Sequence, residues 1–308
     1  MADRTLYVLA GPTAVGKTAL ALEWAEANDA EILSCDTLLV YRGMDLGTAK
    51  PTPAERAQVA HHGINVVDAA QPFNVRAYLK LASEAVRAIH ARGRRVLVVG
   101  GSGFYLKSFF APVTDALEIP ESICTEVAKL MEHEGLAGAV ARLRAVSPEG
   151  LGRVDVCNPR RVVKALERCL ASGLSVPALE ALHASRGTPF DPYTKRLVLL
   201  ERADAELKDR IRQRTQAMLE AGLVAEVRSL LGQGLLQNAS AARAVGYRET
   251  IAWLESKADD LGDLLRAIET STWQLVRKQR TWFRHQVPIE RTVLLPPGGN
   301  ADVSTLFG

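Results

Sequence analysis

"TLYVLAGPTAVGKT", residues 5–18, is an apolar run that feeds into a glycine-bracketed loop ending in Lys-Thr. The loop fits G-x-x-x-x-G-K-[ST]. In that pattern the glycines let backbone N–H groups turn toward phosphate oxygens, and the helix that follows adds its dipole. On this reading Gly11, Pro12, Thr13, Ala14, Val15, Gly16, Lys17 and Thr18 cradle a phosphate. Lys17 neutralises its outer oxygens, and the Thr18 hydroxyl sits on Mg²⁺. Whether that phosphate is hydrolysed, transferred or released as a leaving group depends on the rest of the chain.

Working outward, "AEILSC" (30–35), "GINVVD" (63–68) and "RVLVVG" (95–100) repeat the nearly continuous apolar character of residues 5–10. Strands buried on both faces of a parallel sheet have this look. Before the last of them, Val75, Tyr78, Leu79, Ala82, Val86 and Ile89 keep a helical spacing behind an Asn74 cap. This alternation predicts an α/β fold, a P-loop NTPase-like parallel sheet with helices on both faces. Near Pro120 the pattern turns wholly helical until about residue 190, after which "KRLVLL" (195–200) returns as a buried strand. The expected organisation is therefore a first core segment at 1–118 and an inserted all-helical domain at 119–192. Core completion and C-terminal helices follow at 193–308. Helices are expected at 204–220, 223–231, 242–256 and 261–285, then a strand "TVLL" (292–295) and a frayed end.

The 308 residues are 47% apolar and 24% charged with a formal net charge of +3, the balance of an ordinary soluble chain able to bury a large core. Cys35, Cys124, Cys157 and Cys169 form no C-x-x-C pair, and there is no signal peptide; both point to reduced thiols in the cytoplasm. No apolar run approaches the ~20 residues of a membrane span. The histidines include the pair His61-His62 but no H-x-x-x-H, which argues against a dedicated zinc site.

A kinase or nucleotide hydrolase also needs a magnesium carboxylate at a second strand end. "RVLVVGGSG" ends in glycines and serine, which leaves Asp36 in "EILSCDTLLVYRGMDLGTAKP". Ligands of open α/β sheets bind outside the carboxyl ends of strands, so Asp36 is expected beside the loop. It could hold the metal, take a proton from an incoming nucleophile, or serve as a turn acid, and spacing alone does not choose.

Basic residues are clustered. In "NPRRVVKALERCL", Asn158 caps a helix whose first turn carries Arg160 and Arg161 against the helix dipole, with Lys164 and Arg168 continuing the stripe. In "STWQLVRKQRTWFRHQ", Trp273, Arg277, Arg280 and Arg284 share one face, while Leu275, Gln279 and Trp282 lie on another. "ARAVGYRE" adds Arg243 and Arg248 around Gly246-Tyr247. Arginine once per turn beside an aromatic suits a phosphate backbone and a stacked base, so three such sets make RNA a candidate partner.

The ordered stretches "GPTAVGKTALAL", "DTLLVYRGMDLGTAKP", "HHGINVVD", "VLVVGGSGFYLKS", "NPRRVVKALE", "MLEAGLVAEVRSLL", "AVGYRE" and "KQRTWFRH" resemble the bacterial tRNA dimethylallyltransferases over nearly the whole chain. The resemblance implies transfer of a dimethylallyl group from dimethylallyl diphosphate to N6 of adenosine 37, beside the anticodon of tRNA, with Mg²⁺ present and diphosphate leaving. It implies Asp36 as the base, with Thr13, Lys17 and Ser102 completing the catalytic set. RNA contacts are implied at Asp36, Thr37, Leu38, Leu39 and Ser102, and at Arg160, Arg161, Val162, Val163 and Lys164. Arg243, Ala244, Val245, Gly246, Tyr247 and Arg248 are implied too, as are Arg277, Arg280 and the position of Cys124. It further implies a cytoplasmic, monomeric enzyme that binds an anticodon stem-loop. Departures from the family pattern are Val15 in place of a small residue, Ser102 for threonine, and Cys124 near an expected arginine. Asp155 stands in an altered "RVDVCNP", and Trp273 replaces an arginine. Alternative readings are a P-loop small-molecule kinase, a prenyltransferase acting on free adenine nucleotides, and a non-catalytic RNA-binding protein.

Overall fold

The computed structural model describes residues 4–113, 117–257, 259–299 and 301–308. The chain opens with β1 (Thr5–Ala10), α1 (Lys17–Ala27), β2 (Ala30–Ser34), β3 (Tyr41–Arg42), α2 (Pro53–Gln58), β4 (His61–His62) and β5 (Val67–Asp68). It continues through α3 (Val75–Ala91), β6 (Arg95–Gly100) and α4 (Gly103–Lys107) into three helices, α5 (Glu121–Val146), α6 (Pro159–Ser172) and α7 (Val176–Ala184). After β7 (Thr194–Glu201) come α8 (Asp204–Glu220), α9 (Leu223–Gly232), α10 (Ala239–Ala242), α11 (Tyr247–Glu255) and α12 (Leu261–Gln286), and then β8 (Arg291–Leu294).

Two compact units result. One holds the chain up to Phe110 and again Pro189–Gly308; the other is Ala111–Thr188. Both crossing points lie earlier than residues 119 and 192. The reason is visible in the α/β unit, where Phe109 and Phe190 stack at 4.3 Å, fully buried. The helical unit has its own core of Val127, Ala139, Leu143, Val162, Leu166 and Cys169. Its α5 is broken at Gly135 (φ 64°), and α6 opens on Asn158, which accepts the Arg161 N–H at 3.3 Å.

In the α/β unit a six-stranded sheet runs β4-β2-β6-β1-β7-β8, parallel throughout. Its strands alternate in period two between two apolar layers. Leu6, Val8, Leu33, Val98 and Leu197 face Tyr78, Ile89, Phe109 and Phe283; Leu9, Ile32, Leu97, Val198 and Leu200 face Val15, Leu20 and Trp24. Because all strands run the same way, Gly11, Asp36, Gly101 and Arg202 emerge together at the carboxyl edge, where the site lies.

Three expectations are corrected. "GINVVD" is not one strand: Gly63 (φ 78°) and Asn65 (φ 55°) break it, and Val67–Asp68 pairs instead with Tyr41–Arg42 in a separate two-stranded ladder. Asn65 is held there by Lys50, whose buried Nζ donates to Asn65 Oδ1 at 2.7 Å and to the Tyr41 carbonyl at 2.6 Å. The helix expected at 242–256 starts at Tyr247, because Gly246 (φ 92°) interrupts it. The C-terminus is not frayed. Leu306 and Phe307 are buried, and Phe307 meets Trp24 and Tyr7 edge-on at 5.0 and 5.2 Å, contacts of roughly 0.5–1.5 kcal/mol per ring pair beyond area burial.

Candidate active site

The phosphate loop spans the gap between β1 and α1. Its turn needs Gly16 at φ 111° and holds Ala14 at φ 62°, a left-handed conformation that costs about 1–3 kcal/mol outside glycine and tends to persist at functional sites. Lys17 Nζ donates to the carbonyls of Gly11 (2.9 Å) and Pro12 (2.8 Å). Burial lowers the Lys17 ammonium to about 8; Asp36 pulls it back up and Arg214 pushes it down. Val15, unexpectedly apolar for such a loop, lies in the core beneath with no exposure, and the Arg202 Nε–H donates to its carbonyl at 3.2 Å. Pro12 and Gly11 are also buried and serve the loop through their backbone.

Asp36 follows β2 at the same edge. Its Oδ1 accepts the Leu38 N–H at 2.8 Å, a turn that fixes the carboxyl while the other oxygen has no partner within the chain among the hydrogen bonds described. A cavity of about 570 Å³ is lined by Thr13, Ala14, Gly16, Lys17 and Thr18 together with Asp36 and Leu39. Thr48, Arg210 and Arg214 complete this end of it. The base candidate and the phosphate cradle therefore share one space.

Arg210 and Arg214, one turn apart on α8, were not singled out from the sequence. Arg210 donates Nε–H to the Ala14 carbonyl at 2.9 Å. Arg214 reaches Thr13 Oγ1 and the Thr48 carbonyl only at 3.5 Å each, and burial lowers its pKa against the pull of Asp36. The signal available was the i, i+4 spacing within "RIRQR" on a helix after a core strand.

Ser102 does not line the cavity but is tied to it. It stands at the start of α4, where its Oγ accepts the Thr37 N–H at 3.0 Å instead of capping the helix. The glycines around it are dictated by close approach: a Cβ on Gly100 would lie 2.0 Å from the Cys35 carbonyl oxygen, and one on Gly103 would lie 2.6 Å from the Trp282 ring.

The segment 43–51 walls the cavity and is suspended from one carboxylate. Glu226 on α9 accepts the N–H groups of Asp45 (3.1 Å), Leu46 (2.7 Å) and Gly47 (3.3 Å) and the Tyr247 hydroxyl (2.6 Å). Tyr247 is fully buried and lies so close to Gly47 that a Cβ there would sit 2.6 Å from its ring. Three separate stretches, "YRGMDLGTAKP", "GLVAEV" and "AVGYRE", thus form one structural hub.

The residues implied as RNA contacts differ in exposure. Tyr247, Gly246 and Ala244 are buried, leaving Arg243 and Arg248 exposed and Val245 half-buried. In the helical unit Val162 is a core residue and Val163 is half-buried, while Arg160, Arg161 and Lys164 are exposed; Lys164 pairs with Glu167 at 2.6 Å. Cys124 is half-buried on α5, and Asp155 closes the turn before α6 by accepting the Cys157 N–H at 3.1 Å. Arg277 is exposed. Arg280 is only partly exposed and is paired within the α/β unit. It donates to Glu201 Oε2 (2.9 Å), Asp204 Oδ1 (2.6 Å) and the Arg202 carbonyl (2.8 Å). Trp273 packs with Leu207, Ile211 and Val276 beneath the Lys208 ammonium, 4.8 Å from its ring centroid.

Strand, loop and helix at the centre of a parallel sheet define a P-loop-like α/β protein in which Asp36, just past the end of β2, lines the same cavity as the cradle. The chain belongs to the IPP transferase family, whose model matches residues 39–286. It is 53% identical to a tRNA dimethylallyltransferase of Opitutus terrae, with 96% of each chain covered. It is 38% identical to one of Chloroflexus aurantiacus, over 92% of this chain and 94% of that one. Among solved structures, the tRNA isopentenylpyrophosphate transferase of Bacillus halodurans superposes with a TM-score of 0.67 at 28% identity, covering 95% of this chain and 90% of that one. A eukaryotic dimethylallyltransferase acting on tRNA shares the fold, with a TM-score of 0.80 at 22% identity over 94% of this chain and 74% of that one.

Proposed function

We propose that this IPP transferase family member transfers a dimethylallyl group from dimethylallyl diphosphate to N6 of adenosine 37 beside the anticodon of tRNA. The observation that carries the reading is the common cavity of Asp36 with Thr13, Lys17, Thr18 and Arg214. The N6–C1 bond forms as the C1–O bond breaks, and the electron pair of the broken bond leaves with diphosphate. An exocyclic amine is a weak nucleophile, so Asp36 takes its proton as the new bond forms. The Lys17 ammonium, the Arg214 guanidinium and the loop N–H groups meet the charge that grows on the departing diphosphate. The adenine must leave its stack to reach Asp36, at a cost of a few kcal/mol that single-stranded loop RNA keeps low.

Mg²⁺ fits the residues present. Among the described residues no cluster of three acids, histidines or cysteines exists, but the exposed Thr18 and the Asp36 carboxylate share the cavity. Mg²⁺ is commonly held by one or two protein oxygens plus phosphate and water, and Thr18 would hold it. When bound, it supplies further neutralisation of the diphosphate. Exposed Arg160, Arg161, Lys164, Arg243, Arg248 and Arg277 supply candidate contacts to the anticodon stem-loop. We place the enzyme in the cytoplasm as a monomer; among the described residues no helix is long and apolar enough to cross a membrane.

The test is incubation with anticodon stem-loop RNA, AMP as rival acceptor, labelled dimethylallyl diphosphate and Mg²⁺, followed by mass spectrometry of the nucleosides. Prenyl-adenosine from the RNA is expected. Its absence, or preference for AMP, overturns the reading.

A further inference from the structure

One carboxamide connects the two halves of the site. Gln279, on α12, accepts the Thr13 N–H at Oε1 (2.9 Å) and donates Nε2–H to the Gly101 carbonyl (3.1 Å). Thr13 belongs to the phosphate loop. Gly101 precedes Ser102, whose Oγ holds the Thr37 N–H next to Asp36. Space admits nothing else: a Cβ on Gly101 would lie 2.8 Å from Gln279 Nε2 and 2.9 Å from the Gly11 carbonyl oxygen. One turn further along α12, Trp282 closes on Gly103 in the same way.

We propose that Gln279 is a positioning residue that locks the diphosphate cradle and the Ser102–Thr37–Asp36 segment in one register, so that leaving group and base are aligned across the reacting carbon. The inference rests on the transfer reaction proposed above and deepens it. The position demands one acceptor and one donor at fixed separation. An amide supplies both, a carboxylate lacks the donor, and an alkyl side chain lacks both. Misplacing reacting groups by about 1 Å costs on the order of 10²-fold in rate. Gln279 touches neither substrate in this scheme and acts through the two loops it joins.

The test uses the full-length protein and two variants, Gln279→Leu and Gln279→Glu. Four quantities are read: single-turnover rate, affinity for inorganic diphosphate by calorimetry, RNA affinity, and the ratio of variant to wild-type rate from pH 6 to pH 8. For Gln279→Leu a rate loss of about 10²-fold is expected with RNA affinity unchanged within about twofold, as lost alignment requires. Diphosphate should bind about tenfold more weakly as the loop loosens. For Gln279→Glu, a carboxylate facing the Gly101 carbonyl is repelled, whereas its protonated form donates to it and restores the amide pattern. Its rate ratio should therefore climb as pH falls, while that of the leucine variant stays flat. A leucine variant with wild-type rate and diphosphate affinity overturns the proposal, as does a flat glutamate ratio. Loss of RNA affinity in step with rate also overturns it. If the leucine variant does not fold, the glutamate ratio decides. If the wild type makes no prenyl-adenosine, the transfer reading fails, and the diphosphate affinities still judge Gln279.

Discussion

Replacing Asp36 by Asn separates its chemistry from its turn. The amide oxygen can still accept the Leu38 N–H now held at 2.8 Å, so the segment keeps its shape. Two things are lost: a base and a negative charge. A positioned general base is worth about 10²–10⁴-fold, or about 2.7–5.5 kcal/mol of barrier, so turnover should fall by that factor while RNA affinity holds. The lost charge acts on Lys17. Its ammonium stands at about 8 because burial lowers it, with Asp36 opposing that fall. Diphosphate binding needs the cation, so affinity is full below that pH and is lost as pH rises through it. Without Asp36 the midpoint must move to lower pH, because the carboxylate that raises it is gone and Arg214 remains. The assay pairs single-turnover prenylation with calorimetric titration of inorganic diphosphate from pH 6 to pH 9. The ratio of the two proteins at each pH cancels the ligand's own titration. An Asn variant turning over within about threefold of wild type would show that Asp36 is not the base. A diphosphate midpoint that moves upward would show that the two groups are not coupled as described.

Glu226→Ala should lower stability by about 2–4 kcal/mol, seen as a melting temperature lower by on the order of 10 °C, because it strips partners from three backbone N–H groups and the buried Tyr247 hydroxyl. Gly47→Ala should cost about 1–3 kcal/mol by overpacking against Tyr247, and combining it with Tyr247→Leu should be clearly less damaging than the sum of the singles in denaturant titration. Arg161→Ala should weaken stem-loop binding and lower the slope of log affinity against log salt by about 0.7–0.9, with the rate at saturating RNA unchanged.

The sheet was legible because buried parallel strands read as continuous apolar runs: residues 5–10, 30–34, 95–100 and 194–201 all became strands. The Asn74 cap and the helix behind it were legible for local reasons, a polar cap followed by helical spacing. "GINVVD" was misread because its apolar letters conceal two left-handed residues, and the Lys50–Asn65 bond that stabilises one of them spans 15 positions. The surroundings of the basic stripes were not legible, because helical spacing identifies a face without naming its neighbour. Arg280 shares a face with exposed Arg277, yet it meets Glu201 and Asp204. Contiguous segments such as 160–164 on α6 and 243–248 between α10 and the start of α11 likewise alternate between solvent and core, so neighbours in sequence differ in exposure. Gln279 could not be placed at the loop from sequence because its partner lies 266 positions away, and the spacing that marked Arg214 did not name a partner 201 positions away.

The placement of charge explains why one phosphate loop can serve alkyl transfer. In a phosphoryl-transfer site the carboxylate belongs with the metal on the phosphate, since the phosphate is the group attacked. When carbon is attacked, diphosphate only departs, so cations belong on its side and the acid belongs across the reacting carbon. On the transfer proposed above, the residues of the α/β unit divide between these two tasks. Lys17, Arg210 and Arg214 all hydrogen-bond to groups of the phosphate loop, whereas Asp36 is anchored to its own turn at Leu38. Arg214 holds its two partners at 3.5 Å, too far for strong hydrogen bonds, and a desolvated guanidinium so weakly satisfied gains most from a multiply charged oxygen ligand. Such a site stabilises charge that appears only as the C–O bond breaks, and binding of that kind raises the rate rather than merely holding the donor.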